Sequence, residues 1–251
     1  MVKYNKKNSL IFTFERSKIY LFILKMISKE PLYIGISGII AAGKSTVAKA
    51  LGKEMNLPIY LETAAKNKYM GDFYEDMLEY GYRLQIDLLT DRYNQQQQIV
   101  WNAKGGIQDR TIYEDSIFCK MLHDTQLIGL RDYETYNKLS KIMFNLMKRP
   151  DLIVHLDISP EESFRRLKIR NRNIESKVSL KYLQKLHKYY EEFLKNISKK
   201  IRVIRIDYEK KYKIDYKTKE EFDQKMEVVA QKMAKDIKIE WEKKNKNVSF
   251  I

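Results

Sequence analysis

One cysteine, Cys119, and four prolines are all that this chain of 251 residues carries of either type. A lone thiol excludes an internal disulfide framework and fits a reducing compartment. So few prolines leave no proline-rich linker to divide the chain, and the one low-complexity tract, Gln95–Gln98, is too short to matter. Near the N-terminus the longest apolar run is Ile19–Leu24, six residues bounded by Lys18 and Lys25. A bilayer-spanning helix needs about 20. No small-residue cleavage site follows the run, which argues against a secretory signal. Arg16 is the one arginine of the first 25 residues and Glu15 stands beside it, so a mitochondrial presequence is less favoured than a cytoplasmic location. We read residues 1–25 as an N-terminal extension and 26–251 as a single domain.

What the chain does have is a globular balance. Hydrophobic residues make up 44% and charged residues 32%, with a mean hydropathy of -0.54. That composition excludes both disorder and a membrane-embedded fold. Lysine and arginine number 48 against 33 acids, a net charge of +15. Such an excess suits nucleic-acid binding, a merely solvated surface, or a highly anionic small ligand. Many lysines are interleaved with acids, as in Lys217–Glu221, and no single long basic block occurs.

Five short apolar runs read as buried parallel strands: Leu32–Ser37, Pro58–Leu61, Gly106–Asp109, Leu152–Asp157 and Ile201–Ile206. Helical patterns separate them. Thr46–Met55 is the first, Asp72–Gln98 a long helix or helix pair, Tyr113–Met147 more helix, and Pro160–Arg170, Leu180–Lys195 and Lys219–Lys243 follow. This alternation predicts an α/β chain with a five-stranded parallel sheet flanked by helices. Ligands then belong at the carboxyl ends of the strands.

Gly38-Ile39-Ile40-Ala41-Ala42-Gly43-Lys44-Ser45 fits G-x-x-x-x-G-K-[ST] between a strand and a helix. The glycines let backbone amides converge on phosphate oxygens, and the helix N-terminus adds favourable potential. Lys44 supplies a charge to the β/γ-phosphates, and the Ser45 hydroxyl is a ligand for Mg²⁺. The motif implies a nucleoside triphosphate. No N-K-x-D tetrapeptide occurs, which argues against a GTPase switch. Asp157 ends a strand as a metal-binding acid would, but a helix start at Ser159-Pro160-Glu161-Glu162 follows, so Asp157 reads as structural and His155 as packing.

Arg165, Arg166, Arg170 and Arg172 gather at the end of a predicted helix and in the loop after it. Beside a phosphate loop they read as a mobile arginine-bearing lid that stabilises charge and excludes water. Glu62 ends the second strand, where a carboxylate can accept a proton from an attacking hydroxyl. Asp109-Arg110-Thr111 ends the third, offering an acid for a metal and a cation for an acceptor oxygen.

In this order the residues resemble the deoxynucleoside kinases, particularly the bacterial-type deoxyadenosine/deoxyguanosine kinases, from about Leu32 to Tyr208. The marks are Lys44-Ser45-Thr46, Asn67 through Asp76, Leu84-Gln85-Ile86 with Arg92, Asp109 through Asp115, Arg170-Asn171-Arg172 and Tyr182 through Leu186. The resemblance implies the P-loop kinase fold with its lid, ATP with Mg²⁺, and transfer to the 5'-hydroxyl of a deoxynucleoside. It also implies a homodimer or higher homo-oligomer. Glu62 is similar to the family's general base, Arg110 to the arginine on that hydroxyl, and Asp109 with Ser45 to the metal side. Gln85 matches the glutamine on the nucleobase edge. Arg92 and Asp115 match the pair beside the base in purine- and cytosine-accepting members, which favours a purine. Tyr74 and Glu175 match the residues on the sugar 3'-hydroxyl, and Lys44, Arg166, Arg170 and Arg172 those around the donor phosphates. As plain structure, Gln85 and Arg92 are equally compatible with a helix surface and Tyr74 with a core aromatic.

Two features depart from the family. Thr63-Ala64-Ala65 follows Glu62 where proline is usual, and Ile39 stands where many members carry a polar or small residue. Two other functions use similar parts. A thymidylate-type monophosphate kinase would need a site for its acceptor's phosphate. A basic nucleic-acid-binding P-loop ATPase would show steeply salt-dependent DNA binding.

Overall fold

The strand runs read from the sequence assemble into one parallel sheet. A computed structural model describes residues 30–172 and 175–246, so the extension read over residues 1–25 lies outside the described residues. Strands β1 (Leu32–Ser37), β2 (Ile59–Tyr60), β3 (Gly105–Asp109), β4 (Leu152–Asp157) and β5 (Val203–Asp207) lie in the order β2-β3-β1-β4-β5. All neighbouring pairs run parallel. β1 is central, with Ile34 opposite Ile107 on one side and Leu152 on the other. Burial on both faces is why these strands read as apolar runs rather than alternations.

Nine helices occur among the described residues: α1 (Lys44–Met55), α2 (Met70–Glu75), α3 (Met77–Trp101), α4 (Ile112–Asp124), α5 (Leu130–Leu146), α6 (Pro160–Arg170), α7 (Leu180–Ile197), α8 (Tyr208–Lys211) and α9 (Lys219–Lys246). The stretch Asp72–Gln98 resolves as a pair. Asp76 leaves helical geometry, and its carboxylate accepts from the amides of Leu78 and Glu79, starting α3 afresh. The stretch Tyr113–Met147 also divides, where Gln126 turns left-handed (φ 62°) and Gly129 precedes α5. β5 starts at Val203 rather than Ile201, because the Ile201 amide still bonds the Ile197 carbonyl at 2.9 Å as the tail of α7. The short helix α8 and a 3₁₀ turn over Ala64–Lys66 were not legible beforehand.

Apolar side chains form layers on both faces of the sheet. Leu152, Val154 and Leu156 of β4 join one cluster with Val47 and Leu51 of α1 and Met233 and Ile237 of α9. Ile153, pointing the other way, joins Leu89, Leu122 and Tyr136 of α3, α4 and α5. Among the described residues no helix is long and apolar enough to cross a membrane.

Candidate active site

The phosphate loop leaves β1 at Gly38, whose φ of 148° would bring an added Cβ to 2.9 Å from the Leu156 carbonyl. It ends at Gly43, the left-handed N-cap of α1 (φ 91°), with no side chain capping the helix. The amides of that first turn are left for an anion. Lys44 is buried, and its Nζ donates to the carbonyls of Gly38 and Ile39 at 3.1 and 3.0 Å. Burial, helped by the charge of Arg110, lowers its pKa to about 8. The Ser45 hydroxyl donates to Asp109 Oδ2 at 2.5 Å. Asp109 Oδ1 is buried with no hydrogen-bond partner, and burial raises this carboxyl above its ordinary value. A hydroxyl and an orphaned carboxylate oxygen, side by side, suit a hard divalent cation.

Glu62 follows β2 and faces two arginines. Its Oε1 accepts from Arg92 Nη2 at 2.5 Å and from Arg110 Nε at 3.0 Å. Burial alone would raise the Glu62 carboxyl, but Arg110, Arg92 and Lys44 outweigh it and hold the pKa down at about 2. Arg92 Nη1 also donates to Asp115 Oδ1 at 2.5 Å. Asp115 behaves oppositely: burial prevails over Arg92 and Arg110 and pushes it up to about 7. Asp115 Oδ2 and Gln85 Oε1 are both buried without a partner. Arg92 and Gln85 are 4% and 2% exposed, so neither is a surface helix residue.

The arginines after β4 divide. Arg166 is buried, with its Nη1 on the carbonyls of Ala41 and Ala42 and its guanidinium 4.1 Å from the Tyr208 ring centre. Locked on the loop from behind, it departs from the expectation of a mobile lid residue, although its Nη2 is left without a partner. Asn171, left-handed at φ 46°, ends α6 between Arg170 and Arg172. Arg170 grips Glu175 through Nε at 3.0 Å and Nη2 at 2.6 Å, and Arg172 Nη1 lies 3.9 Å from the same carboxylate. The residue matched to the sugar and those matched to the phosphates are thus one cluster. Half-buried Tyr74 completes it, its hydroxyl pushed up by burial and by the nearby Tyr182 and Glu175.

These groups share one cleft of about 640 Å³. Ile40 through Thr46 line one end of it, and Glu62, Gln85, Arg92, Arg110 and Asp115 the other. Tyr74, Arg166, Arg170, Arg172 and Glu175 line it too. Gly38, Ile39 and Asp109 do not. The Ile39 side chain is 2% exposed and packs in the core under the loop, which leaves the backbone of this position to face a nucleotide. That burial also accounts for an apolar residue where the resemblance implied a polar or small one. Asp157 accepts from Arg205 at 2.5 Å, in keeping with its structural reading.

A model of the deoxynucleoside kinases matches residues 34–233. The chain belongs to the deoxynucleoside kinase family. The deoxyadenosine kinase of Dictyostelium discoideum is 57% identical over 181 residues, 72% of this chain and 74% of that protein. The deoxyadenosine/deoxycytidine kinase of Bacillus subtilis is 34% identical, over 64% of this chain and 76% of that one. Among solved structures, the deoxyadenosine kinase of M. mycoides with bound dCTP superposes with a TM-score of 0.66 at 28% identity, over 80% of this chain and 98% of that chain. Membership makes this protein a phosphotransferase of the P-loop kinase fold, and the deoxynucleoside kinase reading prevails over the monophosphate kinase and nucleic-acid ATPase alternatives.

Within this kinase cleft, sequence reasoning passed over Phe118 and used Tyr182 as a family mark without giving it a role. Both are lining residues, and the Phe118 ring lies 4.9 Å from the Arg110 guanidinium. It also gave no role to Glu114, three residues after Thr111. The T-x-x-E spacing was a usable signal, since a glutamate there reaches back to the helix-start amide. Its Oε1 accepts from the Thr111 N–H at 3.0 Å.

Proposed function

We propose that this kinase transfers the ATP γ-phosphoryl group to the 5'-hydroxyl of a purine deoxynucleoside, with deoxyadenosine the first choice. The observation that carries the reading is that Glu62 and Gln85 line the same cleft as Lys44, whose charge helps to hold the Glu62 carboxyl down. Gln85 offers an acceptor and donors side by side to the base edge, and its Oε1 has no protein partner. Asp115 Oδ2, likewise orphaned on a carboxyl that burial pushes up to about 7, suits a purine nitrogen. The similarity to the Dictyostelium deoxyadenosine kinase supports the choice of base.

Glu62 orients the hydroxyl and takes its proton as the new O–P bond forms and the bond to ADP breaks. A carboxylate held at about 2 is a weak base, so proton transfer comes late, when the oxygen is already bonding to phosphorus. Arg110 holds the same hydroxyl. Tyr74 and Glu175 take the 3'-hydroxyl, and the Tyr74 ring crowds a 2'-hydroxyl. Lys44, Arg170 and Arg172 balance charge on the transferred group, with the amides of Ile40 through Thr46 around the donor phosphates. Arg166 braces the loop and reaches those phosphates through Nη2. Ser45 and Asp109 are the pair that would hold Mg²⁺, which supplies charge neutralisation at the phosphates. Arg92 and Arg110 are both bound to Glu62, which disfavours a second phosphate at the acceptor end.

We further propose a cytoplasmic homodimer with residues 26–251 as one kinase domain. Exposed Leu130, Ile142 and Leu146 on α5 favour association, and the buried free Cys119 favours a reducing compartment. Steady-state rates on the four natural deoxynucleosides and their 5'-monophosphates test the main reading. The expected result is highest kcat/KM for deoxyadenosine and none for the monophosphates; a preference for any monophosphate or for thymidine overturns it.

A further inference from the structure

Glu114 is fully buried on the first turn of α4, yet four groups from different parts of the fold converge on it. Oε1 accepts from the Thr111 amide. Oε2 accepts from the Gly38 amide at 3.4 Å and from the Tyr190 hydroxyl at 2.9 Å, and it lies 3.6 Å from Arg110 Nη1. Tyr190, on α7 and equally buried, accepts in turn from Arg110 Nη1. Neither residue lines the cleft.

A buried carboxylate is expensive unless donors surround it. This one gathers the first residue of the phosphate loop and the arginine that faces Glu62. Arg110 itself sits in the left-handed region at φ 69°, a conformation that a bulky residue keeps when its surroundings over-determine it. Its guanidinium is held at Nε by Glu62 and at Nη1 by Tyr190. Burial raises the Tyr190 hydroxyl far above its ordinary value, so it stays protonated and donates to Glu114.

We propose that Glu114 and Tyr190 are a positioning pair that sets the Arg110 guanidinium against Glu62 and ties Gly38 of the phosphate loop to the same anchor. The proposal rests on the roles given above to Glu62 and Arg110. Removing the Tyr190 hydroxyl releases one arm of Arg110 and leaves the loop alone. Removing the Glu114 charge loosens both.

The test compares Tyr190→Phe, Glu114→Gln, the double variant and Glu62→Gln by kcat, KM for ATP, KM for deoxyadenosine and thermal midpoint. Tyr190→Phe keeps the ring, and so the packing. It is expected to lower kcat about tenfold with KM for ATP within about twofold, as a displaced orienting group does. Glu114→Gln is expected to lower kcat further and to raise KM for ATP several-fold. The double variant should lose no more kcat than Glu114→Gln alone, because the two act through one arginine. The pair is overturned if Tyr190→Phe keeps wild-type kcat, or if both variants lower the thermal midpoint while kcat per folded enzyme and KM for ATP stay unchanged. If Glu62→Gln collapses turnover while these variants do not, this proposal alone falls. If Glu62→Gln leaves turnover intact, the site reading beneath it falls as well.

Discussion

The two ends of the cleft keep their charges in different company. At the phosphate end, Lys44 rests on the protein's own backbone carbonyls, while Arg166 adds a bond to Glu162 and Arg170 is held by Glu175. At the acceptor end, Arg92 and Arg110 are bound to carboxylates, and the atoms left over are acceptors, Gln85 Oε1 and Asp115 Oδ2. Carbonyl contacts are weak partners for a charge and yield readily to phosphate oxygens. Carboxylate pairs in a buried setting do not. Lys44 is therefore placed to exchange partners, and the acceptor end to stay as it is while the proposed nucleoside fills its open acceptors. Preorganisation is concentrated where the nucleophile sits.

The strongest way to break this contrast is Glu62→Gln. It keeps the shape of the acceptor end and removes the proposed base, so kcat should fall by about 10²- to 10⁴-fold. ATP affinity, measured by calorimetry without nucleoside, should be unchanged. Loss of ATP binding in that variant would mean that the two ends are not separable.

A smaller effect sharpens the donor side. Lys44 is charged below its pKa of about 8, a value lowered from the ordinary lysine range. As pH rises past 8 the free enzyme loses that charge, so kcat/KM for ATP should decline, approaching about tenfold per pH unit. Glu62, ionised above about 2, contributes no inflection between pH 5 and 9. A profile flat to pH 10 would show Lys44 to be a stronger base than its burial implies.

The smallest concerns the loop's underside. Ile39→Val trims a buried side chain that does not line the cleft. Stability should drop by about 1 kcal/mol in denaturant titration, while KM for ATP holds. A changed KM with unchanged stability would show that the Ile39 side chain shapes the nucleotide site.

The same division explains what could be read from the sequence. The donor end is one contiguous motif after one apolar strand, and spacing alone located Gly38, Gly43, Lys44 and Ser45. The acceptor end draws Glu62, Gln85, Arg92, Arg110 and Asp115 from separate elements; strand ends marked Glu62 and Arg110, and family likeness added the other three. Likeness did not extend to Tyr190, whose proposed role depends on the contact that α7 makes with Arg110. Such a contact has no local pattern. Nor did it show that Arg166 would be buried, since a guanidinium at a helix end reads as solvated until the aromatic ring of Tyr208 is in place.

Because the phosphate loop hangs from β1, the middle strand of the sheet, its root is flanked by hydrogen-bonded neighbours on both edges. Fraying that starts at β2 or β5 must strip a whole strand before it reaches Ser37. The anchor that carries ATP is thus shielded from the partial openings that admit solvent and proteases elsewhere.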